Sequence, residues 1–182
     1  MPIDRRAVAT RNRIGEAFLR LGGMRAIEAI RVEDLAREAG IARSTFYAHF
    51  KGLDDYMARS FAAMLEALAS RGAGERILPV EAIVSHVTAV GEGAHRLARH
   101  RHFPRMLSEG ERALRRVAEL RLAARCPLLD ATERSAMATM LAAGFLALLR
   151  DWMEDPHGRN PQEIPKRFET LEVRLVGEAP VR

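Results

Sequence analysis

Apolar residues recur every three or four positions along nearly the whole chain. In residues 12–22, Ile14, Ala17, Phe18 and Leu21 fall on one stripe, and Gly22 and Gly23 follow. Residues 32–39 put Leu35, Ala36 and Ala39 on one face, with Gly40 placed as a left-handed C-cap. The spacing predicts a short helix at 43–50, where Phe46 and Phe50 stand four apart. A longer one runs from Asp54 to about Ser70 with Tyr56, Phe61, Met64, Leu65 and Leu68, and RGAGE at 71–75 ends it. Helical patterns resume at 80–100, 103–109, 111–125, 131–155 and 162–176, separated by Pro79, Pro104, Cys126-Pro127 and the DPHGRNP loop at 155–161. No alternating run, repeat or low-complexity segment competes. The expected fold class is all-α: a three-helix head over 1–52 and a helical body over 53–182, with 54–70 as the connecting helix.

Composition narrows the picture. Of 182 residues, 48% are hydrophobic and 29% charged, which describes a globular chain. No stretch is expected to reach the roughly 18 apolar residues of a membrane span, and MPIDRRAVATRNR has the charge of a secretory leader without its apolar core. Cys126 stands alone, so no internal disulfide or Cys-rich zinc site is expected, and a reducing cytoplasm fits best. The net charge of +5 is concentrated early: residues 1–52 hold ten Arg and Lys against six Asp and Glu. An anionic partner for the head is compatible with this excess.

A helix of about eight residues, a turn beginning at Gly40 and a second short helix make a helix-turn-helix. Ile41, Leu35, Phe46 and Phe50 would lock it, leaving Arg43, Ser44, Thr45, Tyr47 and Ala48 facing outward. Arg43 can give a bidentate bond to a guanine edge, and small Ser44 allows close backbone approach. Thr45, Tyr47, His49 and Lys51 can donate to phosphates and fix the register.

The string VEDLAREAGIARSTFYAHFKGLDDYM (32–57), with the amphipathic helix before it, resembles the DNA-binding domain of the tetracycline-repressor (TetR) family of transcriptional regulators. The resemblance covers residues 11–65 and joins core positions (Leu35, Ala36, Ala39, Gly40, Ile41, Phe46, Phe50) to surface ones (Thr45, Tyr47, His49). It implies a DNA-binding regulator, usually a repressor, acting as a homodimer on a palindromic operator in double-stranded DNA and released by a small effector. Three positions depart from the family pattern. Arg31 replaces the hydroxyl N-cap of the second helix, a loss of about 1 kcal/mol, although Arg31 could instead reach a phosphate. Leu53 replaces a lysine that often contacts phosphate, and Ala42 weakens the cap of the recognition helix. A head less well anchored than usual is expected.

The body must then pair and sense. Met137, Met140, Leu141, Gly144, Phe145, Leu148 and Trp152 line one side of 131–155, and Ile164, Phe168, Leu171 and Leu175 that of 162–176. Two such helices from each subunit would form a four-helix dimer interface, with Met137, Leu141, Phe145, Leu148, Phe168, Leu171 and Leu175 in it. A small, mainly apolar effector is expected between 80–109 and 131–155, near His86, Val90, His95, Phe103, Met106, Leu107, Met140 and Trp152. His100 and His102, at i and i+2, would point to different faces of a helix, so no metal site is expected, and no cofactor. No Gly-rich phosphate loop, HExxH or GxSxG argues for an enzyme. The alternative is a helical protein–protein adaptor whose basic head binds an acidic partner; a steep salt dependence would mark DNA instead. No membrane association is expected.

Overall fold

A computed structural model describes residues 5–71, 76–155 and 160–177. The expected breaks at GAGE (72–75) and PHGR (156–159) lie outside the described residues. The chain forms two compact units, Met1–Ser60 and Phe61–Arg182. Among the described residues there are nine α-helices and no strand. The head contains α1 (Arg5–Met24), a single 3-10 turn (Ile27–Ala29), α2 (Val32–Glu38) and α3 (Arg43–His49). Next comes α4 (Leu53–Arg71), shared by both units. The body adds α5 (Val80–Val90), α6 (Glu92–Ala98), α7 (Phe103–Arg125), α8 (Ala131–Glu154) and α9 (Glu163–Val176).

The head is built around Ile14, Ala17, Leu35 and Phe46, all fully buried. Around Phe46 stand the rings of Phe50 at 5.5 Å and Tyr56 at 6.3 Å, and Tyr56 also meets Phe18 at 5.2 Å. Burying one such side chain is worth roughly 1.5–3 kcal/mol, which is what holds a seven-residue α3 that could not stand alone. Because Tyr56 belongs to this cluster, the first unit extends to Ser60 and takes in the first turns of α4.

The polar anchors are better than the caps alone suggest. Arg31 offers α2 no side-chain cap, but its backbone N donates to Asp34 Oδ2 at 3.3 Å, and Asp34 also receives Arg37 at 2.6 Å and Arg25 at 3.2 Å. The carboxylate three residues into the helix thus ties down its start. Gly40 takes φ 61°, and its carbonyl accepts Arg13 Nη2 at 2.6 Å. At the far end of α3, Arg59 donates to the His49 carbonyl at 2.8 Å, with its guanidinium 5.2 Å from the Phe50 ring centroid.

In the body the expected helix at 80–100 is two helices, broken where Gly91 adopts φ 59°. The expected break at Gly110 does not occur, and α7 runs unbroken through it. A Cβ at Gly110 would lie 2.7 Å from Leu65 Cδ1 and 3.0 Å from Phe61 Cε1, so this glycine permits the close approach of α4 to α7. α7 packs along α8, and α9 lies against α5 and α8. Contrary to expectation, α8 is long and apolar enough by length and hydropathy to cross a membrane, because residues 135–149 (SAMATMLAAGFLALL) carry no charged side chain. Here it is a core helix, with Leu141, Phe145, Leu149 and Trp152 buried.

One buried carboxylate organises the far end of the body. Glu172 of α9 is 4% exposed and accepts the backbone N–H groups of Ile77 at 2.9 Å and Leu78 at 3.0 Å. Beside it, Arg121 of α7 donates to the carbonyls of Ala69 at 2.8 Å and Arg76 at 3.1 Å. Partial burial lowers the guanidinium pKa, an effect opposed by Glu172 and reinforced by Arg125.

Candidate nucleic-acid interface

With Phe46 driven into the core, the seven residues of α3 have only one way to face. Arg43, Ser44, Tyr47 and Ala48 are exposed, and Thr45 and His49 are half-buried at the flanks. Lys51, just beyond the helix, and Arg31, at the entry to α2, are exposed as well. The Tyr47 ring is fixed edge-on to Phe46 at 5.7 Å, so its hydroxyl projects from the outer face.

Arg43 has partners on both α2 and α3. Its Nη1 pairs with Glu33 Oε1 at 3.0 Å, its Nη2 donates to Tyr47 Oη at 3.4 Å, and its guanidinium carbon lies 5.4 Å from the Tyr47 ring centroid. The Tyr47 hydroxyl, followed by the Glu33 carboxylate, raises the Arg43 pKa still further above its already high value. Arg43 is therefore a permanent cation on the helix that faces outward. This face combines a guanidinium fork, hydroxyls at two depths and a lysine, the donor set for phosphate oxygens and base edges. Sequence reasoning missed Glu33. It stands ten residues before Arg43, and only the turn at Gly40 brings α2 and α3 close enough for the pair.

Residues 16–55 match the family of bacterial regulatory proteins known as the tetR family. The match lies within the head and takes in α2 and α3. Two solved structures resemble the chain over nearly its whole length. One is the dihydroxyacetone kinase operon activator DhaS, with TM-score 0.60 and 15% identity over 92% of this chain and 96% of that one. The other is Thermus thermophilus FadR, a TetR-family transcriptional repressor in complex with lauroyl-CoA. It has TM-score 0.54 and 17% identity over 94% and 95%. At such identities the likeness is one of fold. No curated protein sequence is significantly similar to the chain.

In the body, the residues expected to pair and to sense are distributed differently from the sequence picture. Along α8, spacings of three and four had drawn together two faces. Leu141 and Phe145 point inward and are buried in their own chain, as is Phe168, 5.5 Å from Phe145. Met137 and Leu148 are half-buried, whereas Leu171 and Leu175 of α9 are exposed. Of the expected effector contacts, His86, Val90 and Met140 are on the surface. Phe103, Met106 and Trp152 are buried, and Leu107 and His95 are half-buried. His95 meets Trp152 at 5.0 Å and its Nδ1 lies 2.9 Å from the Met153 carbonyl. The His100 and His102 rings come within 4.6 Å, because residues 99–102 form a turn and not the helix assumed from sequence. Among the described residues no group of three or more His, Cys, Asp or Glu could hold a metal.

Proposed function

We propose that the chain is a homodimeric, sequence-specific repressor that reads a palindromic operator with Arg43, Ser44, Thr45, Tyr47, His49 and Lys51, aided by Arg31. The observation that carries this reading is the outward face of α3, where every exposed polar side chain is a hydrogen-bond donor and Arg43 is a fixed cation. Two recognition helices would reach successive major-groove faces about 34–36 Å apart.

Pairing is supported by the outer face of α8 and α9. Met140 is 56% exposed, with Ala136, Gly144 and Ala147 beside it, and Leu171 is 48% exposed with Val173 and Leu175. A line of small residues edged by Met and Leu suits close helix contact across a two-fold axis. The dimer contact is thus read through Met137, Met140, Leu148, Leu171 and Leu175, while Leu141, Phe145 and Phe168 hold the helices that present it.

A small apolar effector is read near His95, Phe103, Met106, Leu107 and Trp152, where a polar imidazole edge meets an otherwise apolar interior. Such a ligand releases DNA by binding the non-DNA conformation better, with coupling typically about 1–3 kcal/mol. The FadR structure contains lauroyl-CoA, and a regulator of this class works beside the chromosome in the cytoplasm.

Selection from a random duplex pool tests the reading. An enriched two-fold symmetric motif is expected, bound by a dimer with a steep linear fall of log K against log salt. Absence of any enriched motif, with capture of an acidic protein instead, would reject it in favour of an adaptor.

A further inference from the structure

Arg43 and Glu33 pose a problem for DNA reading. A bidentate contact to guanine needs both terminal nitrogens of the guanidinium. In the free head both are engaged, Nη1 by the Glu33 carboxylate at 3.0 Å and Nη2 by the Tyr47 hydroxyl at 3.4 Å. Glu33 is itself exposed, in the first turn of α2, beside the face that would meet a polyanion. It is paired with Arg43 across the helix-turn-helix, whereas its helix neighbours are engaged elsewhere: Asp34 with Arg25 and Arg37, and Glu38 with Arg20.

We infer that Glu33 is a specificity-determining residue that competes with DNA for Arg43. This rests on the DNA-binding reading above. On an unmatched duplex Arg43 stays with Glu33, so its charge is already neutralised and no counterion is released on its account. On a matched site the guanine edge offers two acceptors at once. Arg43 then leaves Glu33 for the base, and Tyr47 is freed toward a phosphate. Glu33 thus withholds Arg43 from phosphates on any duplex, and only the two base acceptors of a matched site offset the loss of the pair, so non-specific binding is the one left without the Arg43 contact.

The test uses the full chain and three substitutions, Glu33→Gln, Glu38→Gln and Arg43→Ala, together with the Glu33→Gln/Arg43→Ala double variant. Wild type first selects its motif from a random duplex pool. Affinities for that motif and for a scrambled duplex are then measured across salt by anisotropy. Glu33→Gln is expected to bind the scrambled duplex more tightly, with a salt slope steeper by about 0.9 per head. The ratio of motif to scrambled affinity should fall about threefold to tenfold, and a repeat selection should tolerate other bases where Arg43 reads. Glu38→Gln removes one charge from the same helix and should leave the ratio unchanged; in the Arg43→Ala background Glu33→Gln should add nothing. If Glu38→Gln matches Glu33→Gln, or the Glu33 effect survives without Arg43, the cause is bulk charge and the inference falls while the regulator reading stands. If wild type selects no motif, both fall.

Discussion

Replacing Glu172 with Ala should loosen the junction where α4 ends inside the body. The magnitude follows from two hydrogen bonds. Oε1 accepts Ile77 N at 2.9 Å and Oε2 accepts Leu78 N at 3.0 Å, in a side chain that is almost wholly buried. Leaving a buried donor without an acceptor costs about 1–3 kcal/mol, so the pair amounts to roughly 2–6 kcal/mol. Arg121 also loses its neighbouring counter-charge. Glu172→Gln retains one acceptor oxygen but turns an NH2 toward the other N–H, and should lose about half as much. For a chain of this length each kcal/mol lowers the melting temperature by about 2–4 °C, so a mid-range loss gives about 8–16 °C for Ala. Circular dichroism melts at one fixed protein concentration provide the assay, since pairing would make the midpoint concentration-dependent. Hydrogen exchange at the Ile77 and Leu78 amides should accelerate in the same order, Ala above Gln above wild type. If both variants melt within about 2 °C of wild type and those amides stay protected, Glu172 is not what satisfies this segment, and the argument is wrong.

Tyr47→Ala should weaken binding to every duplex, whereas Arg43→Ala should relax preference at one base pair by about 1–3 kcal/mol, both read by gel shift against the selected motif. Met140→Glu or Leu171→Glu should yield helical monomers in light scattering with reduced DNA affinity, since each charge would appear twice at a two-fold contact; Phe145→Glu should instead unfold the body. Burial pushes the Tyr56 phenol up to about 12, partly opposed by a hydrogen bond with Ser60. The folded state therefore keeps this proton while the unfolded chain loses it near pH 10. The stabilisation is complete below pH 10 and disappears between about 10 and 12, a fall of about 2–3 kcal/mol in urea melts that Tyr56→Phe should flatten. Apolar effector candidates should shift Trp152 fluorescence, raise the melting temperature and lower motif affinity together; if Trp152→Phe and Met106→Ala leave ligand affinity and DNA release unchanged, the effector binds elsewhere.

Much of this protein was already legible along the chain. The 3.6-residue rhythm determines helices, because each must bury one face, and Gly40 with its flanking residues determines the helix-turn-helix. The outward donors on α3 followed from one fact, that Phe46 and Phe50 must point inward. Rhythm alone could not decide which of two adjacent apolar faces of α8 meets its own chain. Met140 and Leu141 are neighbours in sequence and differ by about 100° around the helix, yet both satisfy a three-four spacing. Only the packing of α7 and α9 makes Leu141 and Phe145 core and leaves Met140 and Gly144 outside. Gly110 read as a break and proved to be a close crossing, because the cost of glycine in a helix is local while the room it makes for Leu65 and Phe61 is tertiary. Glu33 and Glu172 were unremarkable in sequence for the same reason. A carboxylate's role depends on which donor lies within 3 Å, and here those donors stand ten residues away in one case and about 95 in the other.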